Sequence, residues 1–521
     1  MRTPRLARAY AALLLGAAWL GGALTGDARA AGAGATPVPP EPRQGGRLVR
    51  VLPANPDTLD PARAVASETD RILNNVYEGL LAADSHGRIV PRLAQSYTIS
   101  PDGLTYTFRL RRGVRFHNGR EMTAGDVKFS FERLMAPETQ YSRISDWKPV
   151  QSVEAPDPHT VVIRLKAPYA PFLAAVADPR ASVVPQEAVP TLATRPVGTG
   201  PFRFVEWVQE SHVRLRRFEG YWDAPRPYLD EVVFGFIPDP AAAVAAFLAG
   251  DVDVVGVEPQ QLPLLQAPGA RPARIVNAPT NLVQVLALNQ ARRPWDDLRV
   301  RQAVAHAIDR DQLIQAVAEG RATPLYSGLT PENGYYAPLS NPYPHDVDKA
   351  RRLLGEAGYP NGFQATLVVP SVYEFHVLTA QVLQQQLARA GVRLQIQLVD
   401  WARWLSEVYA GENYDATIIG FTGKIDPHTE LIRYHTRYGR NFVNFSDPEY
   451  DRLIDEAERA VGLEQRQTLY ARAQQILAEK LAAIYLMDPQ TLLALSTDVY
   501  GWEIYPNYVD DLRTVFRTAP R

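Results

Sequence analysis

The 521-residue chain contains no cysteine. Disulfides and thiolate-ligated metals are therefore excluded. A lipid-anchored N-terminus is excluded too, because it needs a cysteine at the cleavage point. No sign of charge dominates either: 55 Lys and Arg stand against 57 Asp and Glu, for a formal net charge of −2. Without a basic patch or a charged tail, nucleic acid is not an expected partner. After the first 30 residues no further apolar run approaches the ~20 residues that a membrane crossing needs. The signatures of catalysis are also missing. There is no phosphate-cradling G-x-x-x-x-G-K-S/T loop, no G-x-S-x-G elbow and no H-E-x-x-H. Asp251 and Asp253 read as alternate positions on a strand, and an enzyme is not expected.

What is present begins with an export signal over residues 1–30. Arg2, Arg5 and Arg8 form a basic start, Ala11 to Leu24 is apolar, and Ala28-Arg29-Ala30 is a small-residue cleavage site. The leader has no adjacent arginine pair, which argues against twin-arginine export. Residues 31–46 are rich in Ala, Gly and Pro and read as a disordered leader. The expected mature protein is periplasmic, free of a lipid anchor and monomeric, and is long enough for two or three domains.

The most informative stretch runs from Arg88 to Met135. Leu104, Tyr106, Phe108 and Leu110 alternate with Thr105, Thr107 and Arg109, the period of a half-buried strand. Ser100-Pro101-Asp102-Gly103 is a turn signal, so 94–99 and 104–111 form a hairpin. Thr123 and Asp126 have the spacing of a capping box, ahead of a helix with Val127, Phe129, Phe131 and Leu134 on its apolar side. As a string, this stretch closely resembles the signature region of the peptide and nickel class of ABC-transporter solute-binding proteins. "GTGPF" at 198–202, "YW…P…LD…V…F" from Tyr221 and "RVRQAVAHAIDR" from Arg299 resemble the same family.

The resemblance implies an α/β, two-lobed periplasmic-binding-protein fold with an extra α+β subdomain inserted in the first lobe. The expected layout is lobe I over 47–87, the insert over 88–194, lobe I again over 195–280, lobe II over 281–488, and a return to lobe I over 489–521. Within it, 70–81 reads as a helix on Ile72, Val76 and Leu80. The pair 150–155 and 160–166 reads as a second hairpin. Residues 281–420 alternate strand and helix, as an α/β lobe does. The Gly198-x-Gly200 pair is no dinucleotide signal, because no apolar strand precedes it, a third glycine is missing and Pro201 obstructs a helix.

The family function implied is delivery of a peptide-like or other small polar ligand to an ABC permease at the inner membrane. The alternatives are a ligand sensor or chaperone using the same cleft, or nickel-chelate binding. No cofactor and no metal site is expected. In an α/β sheet, ligands settle beyond the carboxyl ends of strands. Here the strand 414–420 runs into Phe421-Thr422-Gly423-Lys424-Ile425-Asp426-Pro427-His428. Peptide-binding members carry "W-x-x-D-x-x-D-P" at this place, and its first Asp pairs with the peptide amine. This chain has Phe421 for the Trp, a spacing one residue shorter, and Lys424 nearest the lost Asp. A cation there repels a free amine and suits an anionic ligand. By resemblance Ser67, Glu68 and Thr69 lie at the cleft mouth. Tyr373, Glu374 and His376 at one helix start, and Trp401 and Trp404 at another, are further candidates. Arg433 and Arg440 flank the loop and suit a carboxylate clamp. Tyr141, Arg143 and Trp147 lie in an unpatterned stretch and read either as ligand-facing or, in preference, as surface residues. His428 and His435, seven apart, fall short of a metal site.

Overall fold

The computed structural model describes residues 40–519. The export signal and the leader up to residue 39 lie outside the described residues. The expectation of a disordered leader is corrected at its end. Gly45 N–H donates to the Tyr228 carbonyl at 2.8 Å and Gly46 N–H to Asp230 at 3.0 Å, which holds the chain to the first lobe.

A 12-stranded sheet runs through the molecule. One half is built on Arg47–Leu52, which pairs in parallel with Glu231–Phe236. Beyond that lie the antiparallel strands His212–Arg217 and Phe202–Val208. The other half holds Leu282–Leu288, Ala416–Thr422, Phe363–Pro370 and Val392–Val399, the last two in parallel. One strand of 13 residues, Ile484–Ser496, belongs to both halves. Its start pairs with Leu282–Leu288, and its end pairs with Ala273–Pro279 and Val254–Gly256. The two lobes therefore share a strand.

The second lobe is sandwiched. Helices Leu298–Ala307, Arg310–Ala318, Val347–Glu356 and Glu374–Ala390 contribute to one apolar cluster, with Val304, Leu313, Leu354 and Leu383 buried against Leu367 and Ile418. Helices Pro448–Arg459 and Leu463–Lys480 contribute to the other, through Ile454, Tyr470 and Leu477 against Val285. In Glu374–Ala390 the apolar residues recur at helical spacing (Ala380, Leu383, Leu387, Ala390) and all four are buried.

The insert follows its sequence closely. Ala94–Ile99, Thr105–Leu110, Thr160–Leu165 and Val150–Asp157 form a separate antiparallel sheet in that order. The turn at Gly103 takes φ +70°, which glycine tolerates without strain. Helix Ala124–Met135 opens on the expected box, with Asp126 accepting from the Thr123 N–H at 2.8 Å. Such a cap is worth about 1 kcal/mol. Tyr141 and Trp147 are a correction, for both are buried and not surface residues. Trp147 is 1% exposed, packed 4.7 Å from Phe131 and 5.6 Å from Phe172, within the apolar cluster of the insert.

The helix expected over 70–81 is also corrected. It begins at Ser67 and ends at Leu73. Asn75 is diverted to distant partners: its amide donates to the Asp510 carbonyl at 2.7 Å and accepts from Leu512 N–H at 3.0 Å. Ile72, Val76 and Leu80 are buried as their spacing implies, but the last two sit on irregular backbone. Gly198 and Gly200 pack on this segment. A Cβ on Gly198 would stand 2.1 Å from the Val76 carbonyl oxygen, so the G-x-G pair serves close backbone contact.

Candidate functional site

The lobes join where Thr280-Asn281 and Pro489-Gln490 cross between the sheet halves. Asp488 binds these crossings together. Its carboxylate accepts from Thr280 Oγ1 at 2.7 Å, Leu282 N–H at 3.0 Å, and the Thr280 and Asn281 N–H groups at 3.2 Å. It is fully buried, and that burial pushes its pKa up to about 7. Asn281 adopts φ +58° and lies so close to Gly423 that a Cβ there would meet the Asn281 side chain at 2.2 Å. The loop after strand Ala416–Thr422 thus starts from the hinge, and Gly423 is its necessary first residue.

Above the hinge two walls face each other. On the insert side Arg180 grips Asp70 bidentately, Nε to Oδ1 at 2.9 Å and Nη2 to Oδ2 at 2.8 Å. Arg143 pairs with Asp178. On the side of the second lobe, Arg433 pairs with Glu430 at 3.2 Å and lies 4.5 Å over the Phe421 ring. Lys424 completes the group. It is half-buried, and burial, then the charges of Arg143, Arg433 and Arg180, lower its pKa to about 8, against the opposing pull of Glu430. Among the described residues its ammonium has no ion-pair or hydrogen-bond partner. Three of the four cations have a carboxylate in contact, and the fourth feels only the longer-range pull of Glu430 and Asp146.

The predicted residues divide accordingly. Phe421, Lys424 and Arg433 come together, with Thr422 exposed at the strand end. At the rim, Tyr373 feels the charge of Glu68 across the lobes and packs edge-on to Trp401 at 5.4 Å. Trp401 stacks on Trp404, itself buried and bonded through Nε1 to Thr417. Ser67 and Glu374 are exposed. Two candidates are structural. Thr69 is fully buried and its hydroxyl is taken by Asp57 at 2.5 Å. Asp426 is closed off by Arg466, whose Nη2 lies 2.8 Å from both carboxylate oxygens. His376 is buried against the Gln284 amide at 2.9 Å, and burial lowers its pKa to about 4. His428 faces Glu458, and His435 faces Asp455 and Asp451. From the sequence Arg143 reads as surface in preference to ligand-facing, and Arg180, Asp70, Asp178 and Glu430 are not singled out. The Arg180–Asp70 pairing spans 110 positions, so no local pattern marks it.

Two lobes hinged at a shared strand, with a charged cleft between them, define a solute-binding protein. The chain belongs to the bacterial extracellular solute-binding proteins of family 5, whose model matches residues 88–441. It is 32% identical over 466 residues to the glutathione-binding protein GsiB of Pectobacterium atrosepticum, covering 86% of this chain and 90% of that one. It is similar to the periplasmic binding protein DppA of Helicobacter pylori solved with the peptide STSA (29% identity, TM-score 0.75, 92% and 99% of the two chains). It is also similar to AgaA of A. tumefaciens R10 solved with agropinic acid (27% identity, TM-score 0.73, 91% and 99%). The protein is therefore the solute-binding component of an ABC importer. It delivers a peptide-like or other small polar ligand, and its homologues are binding proteins rather than enzymes. Among the described residues no helix is long and apolar enough to cross a membrane.

Proposed function

We propose that the cleft takes a small peptide-like ligand bearing more carboxylate than amine charge, with one carboxylate on Lys424. The observation that carries this reading is the unpaired, half-buried ammonium of Lys424, set where Arg143 and Arg180 add positive potential. A free amine presented there would meet like charge in a water-poor cleft. The relatives favour the same chemistry, since one is named for glutathione, an acidic tripeptide, and another was solved with agropinic acid. Ser67, Glu68, Tyr373 and Trp401 line the rim, and Phe421 and Arg433 back the lysine. The mature protein acts as a free periplasmic monomer, its lobes divided near residues 281 and 488, and its closed form docks on the permease.

Titration calorimetry on the protein expressed from residue 31 tests this with glutathione and a neutral dipeptide. The acidic tripeptide binds more tightly, and Lys424→Asp weakens it at least tenfold. A variant affinity within twofold of wild type removes Lys424 from the contact set. The pH dependence has a defined sign. Below about pH 8 Lys424 already carries its proton, so affinity is level. Above it the empty site loses the proton that an anionic ligand stabilises. Affinity then falls by up to ~10-fold per pH unit.

A further inference from the structure

Behind the loop that carries Lys424, the insert and the second lobe enclose a chamber of about 560 Å³. Small-molecule sites occupy roughly 300–1,000 Å³. The insert supplies Tyr97, Tyr106, Tyr169 and Leu173 to its wall, and the second lobe supplies Tyr335 and Ile425. Its chemistry is unlike that of the cleft. The Asp426–Arg466 pair at its edge is closed, and Arg88 at its rim is paired with Asp84. The Tyr106 and Tyr169 hydroxyls have no hydrogen-bond partner among the described residues, and burial keeps both protonated. Tyrosines offer flat apolar faces together with a polar tip.

We propose that this chamber is a second binding site, which takes a small uncharged aromatic compound between the tyrosines of the insert and the wall of the second lobe. A charged ligand would lose its hydration there and find no unpaired counter-charge. An aromatic ring gains stacking on Tyr106, Tyr169 and Tyr335, and a substituent on it meets the free hydroxyls. The two walls are joined in the chain only through the hinge, and they touch directly where Ala170 N–H donates to the Glu458 carbonyl at 2.8 Å. An occupied chamber therefore favours the closed lobes. By reciprocity, a cleft ligand and the aromatic strengthen each other by the same factor.

N-phenyl-1-naphthylamine, a neutral aromatic dye that brightens in apolar surroundings, tests this on the mature protein. The expected result is saturable binding. Leu173→Trp fills the chamber and weakens the dye at least tenfold. Leu463→Glu places a charge at its edge, and weakens the dye at least threefold. Leu463 is 61% exposed, so this second variant folds whether or not the first does, as a melting curve verifies. A dye signal that never saturates overturns the proposal. So does saturable binding that Leu463→Glu leaves within twofold of wild type.

Discussion

Lys424 and Asp426 stand two residues apart in one loop, and the molecule treats them in opposite ways. Asp426 is 5% exposed and gripped by Arg466, which also donates to the Tyr335 hydroxyl at 2.8 Å. Lys424 is partly desolvated and has no partner of its own among the described residues. A buried charge is tolerated only when it is paired and hydrogen-bonded. The paired member of this loop therefore belongs to the architecture. The unpaired one is held at a cost that folding alone does not explain. The same distinction separates the charged cleft from the tyrosine-lined chamber behind it.

The sharpest way to break the comparison is to unpair Asp426. Asp426→Ala leaves Arg466 as an uncompensated buried cation and should cost about 3–5 kcal/mol of stability, read from denaturant unfolding. A loss below about 1 kcal/mol would mean that the pair is no more structural than the lysine. A smaller effect comes from histidines packed neutral. Burial lowers the pKa of His117, His376 and His428 to about 4. Their stabilisation is complete above the unfolded value of about 6.5 and is lost as the pH falls through about 4, since only the unfolded chain takes up the protons in that window. Stability should decline across it, and His428→Gln should flatten the slope by about one proton. An unchanged slope would release His428 from the structural set. The smallest change is Lys424→Met. It removes a desolvated ammonium with no partner and should raise stability by about 1 kcal/mol while abolishing the binding of acidic ligands. A clear loss of stability would show that the lysine is paired in solution.

Legibility in the sequence followed the same division between local and distant. The insert hairpin, the Thr123–Asp126 box and the Glu374–Ala390 helix were readable because each is specified within a dozen or so neighbouring residues. The early end of helix Ser67–Leu73 was not. The backbone groups that claim Asn75 lie more than 400 positions away. In the cleft, Lys424 was legible as a departure from a family pattern. Of its companions, Arg143 was set aside as a surface residue and Arg180 was not seen, because an arginine becomes part of a site only through the carboxylate that holds it. Trp147 was misread because the segment around it, Ile144–Trp147, is a single short turn with no periodicity to reveal its buried side.

The strand Ile484–Ser496 is also a matter of timing. Chains are made from the amino terminus, and domains tend to fold in that order as units. Here neither half of the large sheet is complete until residues 484–496 have emerged. The Arg50–Asp510 pair, 3.1 Å and buried, ties one of the first strands to one of the last turns. Arg517 likewise donates to the Arg47 carbonyl at 2.8 Å. A chain cut short before Ile484 would therefore leave two open sheet edges rather than one finished lobe. The arrival of that one strand is what commits the molecule to its shape.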